Sequence, residues 1–274
     1  MLKLRLLKLH WFLSSQLGID IQKLFRSLRG LSVYVRDWRQ FKRGYRGEIT
    51  AMPCLHDRYD ESGVAKGEYF WQDLSVAQWI ASARPDKHVD VGSRIDGFVA
   101  HVASFREIEV FDVRPISNQI PGVIFKQADF TKSSAAIDIG ATDGYCDSLS
   151  CLHALEHFGL GRYGDPVDVN GYKKGITNLA KLLKPDGKFY LSTPIGRQRV
   201  EFNANWVFNP RTIIEIAQAN GLELSELHIL NNQGTGLLQI DLCESNLNNL
   251  AVQHYHLGIF IFVKSRISLA QQVM

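Results

Sequence analysis

Apolar positions along this chain fall into two rhythms, helical spacing and short unbroken blocks, and the two alternate through most of its length. Between Tyr69 and Ala83, Phe70, Leu74, Ala77 and Ala81 share one side of a predicted helix, which Pro85 stops. A short strand, His88 to Val91, is followed by Ile95, Phe98, Val99 and Val102 at helical spacing. Further strands are predicted at Ile108 to Phe111, around Val123 to Phe125, at Tyr145 to Leu152 and at Lys188 to Ser192, with a helix from Ile176 to Leu183 between the last two. A helix running from Pro210 through Ala219 ends at Gly221, and strands at Leu222 to Leu230 and Gly258 to Lys264 suit an antiparallel ending. Strands that alternate with helices in this way build a parallel sheet with helical crossovers.

The first fifty residues differ from the rest. They hold eleven Lys/Arg against three Asp/Glu, in a chain whose net charge is only +3. Ile21, Leu24, Phe25 and Leu28 follow the spacing of an amphipathic helix, with Lys23, Arg26 and Arg29 among them. Two readings stand side by side: a helix packed on the main domain with its basic face in water, or one lying on an anionic membrane surface through residues 1–45. No aromatic-rich pattern accompanies the charge, so a nucleic-acid partner is not expected. The stretch from Pro53 to Gly67 is rich in turn formers and reads as a linker, dividing the chain into a basic extension, 1–67, and a domain, 68–274.

With 45% hydrophobic and 22% charged residues the chain can bury a core. No apolar run approaches the roughly 18 residues of a membrane span, and Arg5, Lys8 and His10 interrupt the segment that could pass for a signal peptide. Cys54, Cys146, Cys151 and Cys243 are too irregularly spaced for a disulfide framework. The expectation is a cytoplasmic protein, soluble or peripheral to a membrane.

In open α/β sheets the ligand lies beyond the carboxyl ends of the strands. Asp90-Val91-Gly92 closes the first predicted strand, Asp112 the second and Asp129 the third. The 22-residue step from Asp90 to Asp112 is close to that between a glycine-rich turn and a carboxylate that accepts both hydroxyls of a ribose. Gly92 would admit a ligand against the backbone. A strand-end Asp alone is more often a turn former or helix cap, since both roles favour Asp; their order carries the signal.

VDVGSRIDG resembles the first motif of class I S-adenosylmethionine-dependent methyltransferases, EVFDV their second, and QADF the strand-end pair that flanks adenine. CLHALEHF looks like their fourth-strand region, and LLKPDGKFYLSTP is similar to their fifth-strand motif. DRYDESG, GEYFWQDL, HVDVGSRIDGF and HALEHFGLGRYGDP resemble more closely an uncharacterised methyltransferase-like family associated with bacterial surface-glycan synthesis. The resemblance implies a Rossmann-like α/β fold with a seven-stranded, mostly parallel sheet and an antiparallel final strand. It also implies S-adenosylmethionine as cofactor, with Asp90 and Gly92 at its methionine end, Asp112 on the ribose, and Asp129 and Phe130 around the adenine. The first motif departs from the family at Arg94 and Asp96, where glycines are usual, and Gly97 falls one position late. Arg94 either crowds the amino-acid end of the cofactor or contacts its carboxylate.

Methyl transfer to a hydroxyl needs the acceptor positioned and its proton removed. His153, Glu156 and His157 follow the fourth strand and are the candidate catalytic groups; if the segment is helical from His153, the two histidines lie one turn apart on one face. The same string matches the H-x-x-E-H of inverted zinc peptidases, which makes a metal-dependent hydrolase a remote alternative. Equally, Glu156 and His157 can be read as groups that satisfy neighbouring loops. Arg162, Tyr163 and Asp165 in the following loop, and Asn203, Asn205 and Trp206 beyond the fifth strand, are candidates to bind a glycan or small-molecule acceptor. A non-catalytic binding or scaffolding protein of the same fold, serving surface-glycan assembly, is the second reading.

Overall fold

The computed structural model describes residues 13–14, 17–59, 63, 65–138 and 140–266. The chain divides into two compact units at Val64/Ala65. In the first, helix α1 (Ile21–Gly44) opens on Asp20, whose carboxylate accepts from the amides of Gln22 and Lys23 at 2.9 and 3.1 Å. Lys42 and Arg43 occupy its last turn, where positive charge complements the helix dipole. Its one fully buried position is Gly30, where a Cβ would overlap the Leu55 carbonyl. Residues 1–12, 15 and 16, part of the expected membrane-contacting segment, lie outside the described residues.

The second unit runs α2 (Glu68–Ala83), β1 (His88–Val91), a π-helical turn (Ile95–Val99) leading into α3 (Ala100–Ala103), β2 (Ile108–Asp112), β3 (Val123–Gln127) and α4 (Ala135–Asp138). It continues with β4 (Cys146–Leu152), a 3-10 turn (Leu155–His157), α5 (Gly171–Leu182), β5 (Leu183–Ile195), the hairpin β6 (Arg199–Glu201) and β7 (Asn205–Val207), and α6 (Pro210–Ala219). Last come β8 (Leu222–Leu230), β9 (Leu237–Ile240), α7 (Glu244–Val252) and β10 (His256–Lys264). The main sheet has eight strands, not seven, in the order β3-β2-β1-β4-β5-β10-β8-β9. Strands β1 to β5 are mutually parallel; β10 is antiparallel to both β5 and β8, and β9 pairs antiparallel with β8 at the edge. The added strand is a hairpin return after Asn231–Gly236, a turn-forming run between two apolar stretches.

Helices cover both faces of the sheet, so its central strands are apolar on both sides. On β5, Phe189 and Leu191 enter one core layer and Tyr190 the other; on β10, Phe260 and Phe262 oppose Ile259 and Ile261. Helix α2 forms as expected but turns a different face inward. Val76, Ala77 and Ile80 are buried together with the polar Gln72 and Asp73, while Phe70 and Ala81 are exposed. Those two polar residues face the end of the sheet described below.

Between β1 and β4 the sheet carries a buried polar ladder. Asp90 is completely buried, its Oδ1 accepting from the hydroxyls of Ser93 and Ser150 at 2.5 Å each and its Oδ2 from the Ser93 amide at 3.0 Å. The Ser93 hydroxyl in turn accepts the Leu152 amide at 3.1 Å. His88, buried beside them, sits 2.8 Å from Ser148 Oγ and 3.2 Å from Ser150 Oγ. Because Ser150 donates to Asp90, its oxygen accepts Nε2–H of His88, and Nδ1 accepts the Ser148 hydroxyl; the imidazole is neutral.

Burial pushes the His88 pKa down from 6.5 to about 3, while burial pushes Asp90 up from 3.8 to about 7 against the opposing effect of its serine donors. The unfolded chain protonates His88 long before the folded protein does, so the stability present above pH 6.5 is lost as pH falls towards 3. Asp90 acts in the opposite sense: stability fully present below pH 3.8 is lost as pH rises through 7. The two effects offset each other over the shared interval. Urea unfolding should therefore show His88→Gln losing stability as pH rises through that interval, and Asp90→Asn losing it as pH falls. Equal slopes in both variants would contradict the assignment.

Candidate functional site

The strand order reverses at β1, which pairs with β2 on one side and β4 on the other. In such sheets the crevice that holds ligands lies at the reversal, which here is at the carboxyl ends of β1 and β4. Gly92 leaves β1 with a φ of +77°, and a Cβ there would lie 2.8 Å from the Ala154 Cβ, so both conformation and contact require glycine. Its amide donates to the Phe111 carbonyl at 2.8 Å. Asp90 lies beneath this turn, and its carboxylate, wholly taken up by Ser93 and Ser150, shapes the turn from inside instead of facing the crevice.

Arg94 clamps both oxygens of Asp96 at 3.0 and 2.7 Å and lies over the Tyr69 ring at 5.2 Å. Gly97 serves packing: a Cβ would overlap the buried carboxylate of Asp73, which Gln72 holds by a 2.9 Å hydrogen bond. The departures from the usual glycine pattern are thus absorbed by an exposed ion pair and by contact with α2.

Asp112 ends β2 with its carboxylate closed by Arg114, whose Nε and Nη2 donate at 3.0 and 2.7 Å while its amide donates at 2.8 Å. The Arg114 guanidinium stacks 4.4 Å from the Tyr163 ring. Asp129 accepts from the amide and hydroxyl of Thr131 at 3.0 and 2.6 Å, with Lys132 at 3.6 Å. Phe130, expected beside an adenine, is buried and stacked on Phe111 in the core. The alternation along this segment sends Asp129 outward and Phe130 inward, so only the first is placed to meet a ligand.

At the end of β4, His153 takes a left-handed φ of +50° and its amide donates to Ser192 Oγ at 3.0 Å. The segment is not an α-helix from His153; a 3-10 turn begins only at Leu155. The two histidines therefore do not stack a turn apart but flank one carboxylate. His153 Nδ1 is 2.7 Å from Glu156 Oε1, and His157 Nε2 is 4.0 Å from the same oxygen. His157 Nδ1–H donates to the Ala204 carbonyl at 2.7 Å. Burial alone would lower the His153 pKa, but the Glu156 carboxylate and then Glu68 outweigh it and hold the pKa above the ordinary value. For Glu156 burial opposes ionisation, and the His153 charge overcomes it and holds the carboxyl below its usual range. Burial lowers His157, with the Arg162 charge adding to the effect. Among the described residues no group of three His, Cys, Asp or Glu is disposed to hold a metal ion.

Several polar residues around His153 carry no strand-end signature. From α2, Tyr69 packs its ring 4.9 Å from the imidazole, and Glu68 Oε2 lies 3.6 Å from Nε2. Tyr255, just before β10, donates to Glu68 at 2.7 Å, and Ser192 donates to Gln72. The only trace of this cluster in the sequence is Gln72-Asp73 amid apolar helix positions. His153 Nε2, Glu156 Oε2 and Thr193 Oγ1 are buried without a hydrogen-bond partner, three polar atoms at the ends of β4 and β5.

The loop after His157 is organised by Asp165. It accepts from the amides of Gly159, Gly161 and Tyr163 at 2.9, 3.3 and 3.2 Å and is itself buried, so it shapes the loop without lining a pocket. Tyr163 lies edge-on to His157 at 5.4 Å, between the guanidiniums of Arg114 and Arg162. Arg162 donates to the Ala204 carbonyl at 2.9 Å. Asn203 is exposed. Trp206 is not an open stacking surface: it packs on Phe208 and Tyr172 against the core.

A family model described as Caenorhabditis protein of unknown function, DUF268, matches residues 127–223. No curated protein matches the chain in sequence. Among solved structures, it is similar to the 1,6-didemethyltoxoflavin-N1-methyltransferase of Burkholderia thailandensis, bound to 1,6-didemethyltoxoflavin and S-adenosylhomocysteine (12% identity, 71% of this chain and 78% of that one, TM-score 0.50). It is equally similar to the [4+2]-cyclase SpnF (12% identity, 74% and 86%, TM-score 0.50). The second unit has the Rossmann-like fold of the class I methyltransferases, with one more strand than expected.

Proposed function

We propose that this chain transfers a methyl group from S-adenosylmethionine to a hydroxyl of a small polar acceptor, with His153 as the proton acceptor. The observation that carries this reading is the buried His153–Glu156 pair at the end of β4, beside the point where strand order reverses. Its imidazole Nε2 is left without a hydrogen-bond partner. Glu156 fixes the ring through Nδ1, so Nε2 is the nitrogen that takes the proton.

The turn at Gly92, the strand-end acids Asp112 and Asp129 and the three unpartnered buried atoms fit the cofactor. When bound, it supplies an electrophilic methyl on a sulfonium. Asp112 would accept both ribose hydroxyls once Arg114 turns away, and Asp129 would lie towards the adenine. Tyr163 and Arg162 form the acceptor side, and a sugar hydroxyl is the acceptor favoured by the resemblance to glycan-associated proteins. The Burkholderia neighbour bears a methyltransferase name and holds S-adenosylhomocysteine, which supports the cofactor.

A non-catalytic ligand-binding role is the second reading. It is favoured by one observation, the closure of Asp112 by its own Arg114.

Calorimetric titration with S-adenosylmethionine separates them. Saturable binding should weaken by roughly tenfold or more in Asp112→Ala, the scale of a lost charge-assisted hydrogen-bond pair, and tighten in Arg114→Ala. Unchanged affinity in both variants would remove Asp112 from the site. If methyl transfer to a hydroxyl acceptor is detected, His153→Ala should lower kcat by about 10²–10⁴. Because Glu156 and Glu68 raise the His153 pKa, the wild-type rate should climb with pH through a value above 6.5. Glu156→Gln should move that limb to lower pH; a profile identical to wild type would exclude the pair as the base.

A further inference from the structure

The first unit carries a feature that methyl transfer does not use. Along α1, Ile21, Leu24, Phe25, Leu28 and Leu31 are all exposed, Phe25 to 69% and Leu28 to 61%. At 100° per residue they form one continuous stripe, and Gly30, the position buried against Leu55, lies directly opposite Ile21. The helix is thus seated through one side and presents its apolar side outward. Five large apolar residues in one exposed stripe mark an interaction surface.

Charge identifies what covers it. Residues 17–46 hold eight Lys/Arg against two Asp/Glu. Following the same rotation, Arg39 and Lys42 continue the line of the stripe where its apolar residues run out. A protein groove that accepts an amphipathic helix needs only the apolar stripe, and a second copy of this helix would bring like charges together. An anionic lipid surface takes both parts, acyl chains receiving the apolar residues and headgroups the basic ones. Among the described residues no helix is long and apolar enough to cross a membrane.

We infer that α1 lies in the plane of an anionic phospholipid bilayer, with Ile21, Leu24, Phe25, Leu28 and Leu31 inserted among the lipid chains and the basic residues of its C-terminal half on phosphate headgroups. This places the chain's activity at a membrane surface.

The test is co-sedimentation of the full-length protein with phosphatidylcholine vesicles containing 30% phosphatidylserine, alongside pure phosphatidylcholine vesicles. Binding to the anionic vesicles should fall at least tenfold in Leu24→Ser/Phe25→Ser/Leu28→Ser, a variant altered only at exposed positions. In Arg39→Glu/Lys42→Glu/Arg43→Glu, binding should fall and the preference for phosphatidylserine should disappear. Absence of wild-type binding, or equal binding by the apolar variant, would overturn the inference. Light scattering without lipid closes the alternative: a wild-type dimer that the serine variant converts to monomer, with vesicle binding unaffected, would make the stripe a contact between two copies.

Discussion

One buried carboxylate joins the two strands on which the site is built. Asp90 reaches from β1 to Ser150 on β4 and to Ser93 in the turn that follows, and Ser93 in turn fixes the amide of Leu152, next to His153. Parallel strands have no hairpin to set their relative ends, so the alignment of β1 with β4 rests on backbone register and on such side-chain links. Removing one partner would leave a buried polar group unsatisfied and loosen both strand ends at once. The turn at Gly92, its contact with Ala154 and the left-handed backbone of His153 all lie within a few residues of this link.

The ladder also explains how a neutral histidine and a carboxyl group with a raised pKa can coexist in an apolar sheet. Burial disfavours the charged form of each, and the three serines supply the hydrogen bonds that keep both groups satisfied inside the sheet. The opposite solution is used at the end of β4. There His153 and Glu156 each favour the other's charged form against desolvation, and Glu68 adds a second carboxylate at longer range. A fully satisfied polar network and one with unpartnered buried atoms thus stand within a few residues of each other along β4 and its end.

Local pattern carried the architecture well. β1 and β8 occupy their expected spans, because an apolar block bounded by turn formers has few other ways to be buried, and α6 follows from Pro210 at its first position with Asn209 capping it. The short edge strand β9 and helix α7 have weaker local signals, since edge elements bury little. At the carboxyl ends of the strands, the positions of Gly92, Asp112, His153 and Glu156 were legible. Glu68, Tyr69, Gln72 and Tyr255 were not, because α2 and the segment before β10 reach His153 only through tertiary packing, which no spacing records. Phe130 and Trp206 failed for a complementary reason. An aromatic beside a strand end reads alike whether it faces a ligand or the core, and only the neighbouring Phe111, Tyr172 and Phe208 decide it.

The Arg114–Asp112 pair is where fold and function are in most direct tension. Under the proposed cofactor reading a diol and the guanidinium would compete for the same two oxygens, so what matters is the cost of parting the pair. The Arg114 side chain is 47% exposed against 12% for Asp112. A guanidinium that open to water recovers much of its hydration on leaving, whereas the carboxylate, nearly buried, needs donors in its place. Two hydroxyls would supply the same number of side-chain donors to the carboxylate that Arg114 supplies now. Arg114 thus covers the acid, with its guanidinium over the Tyr163 ring. A ligand that displaces Arg114 would also release its stacking on Tyr163, linking occupancy at the end of β2 to the position of the loop beside His157.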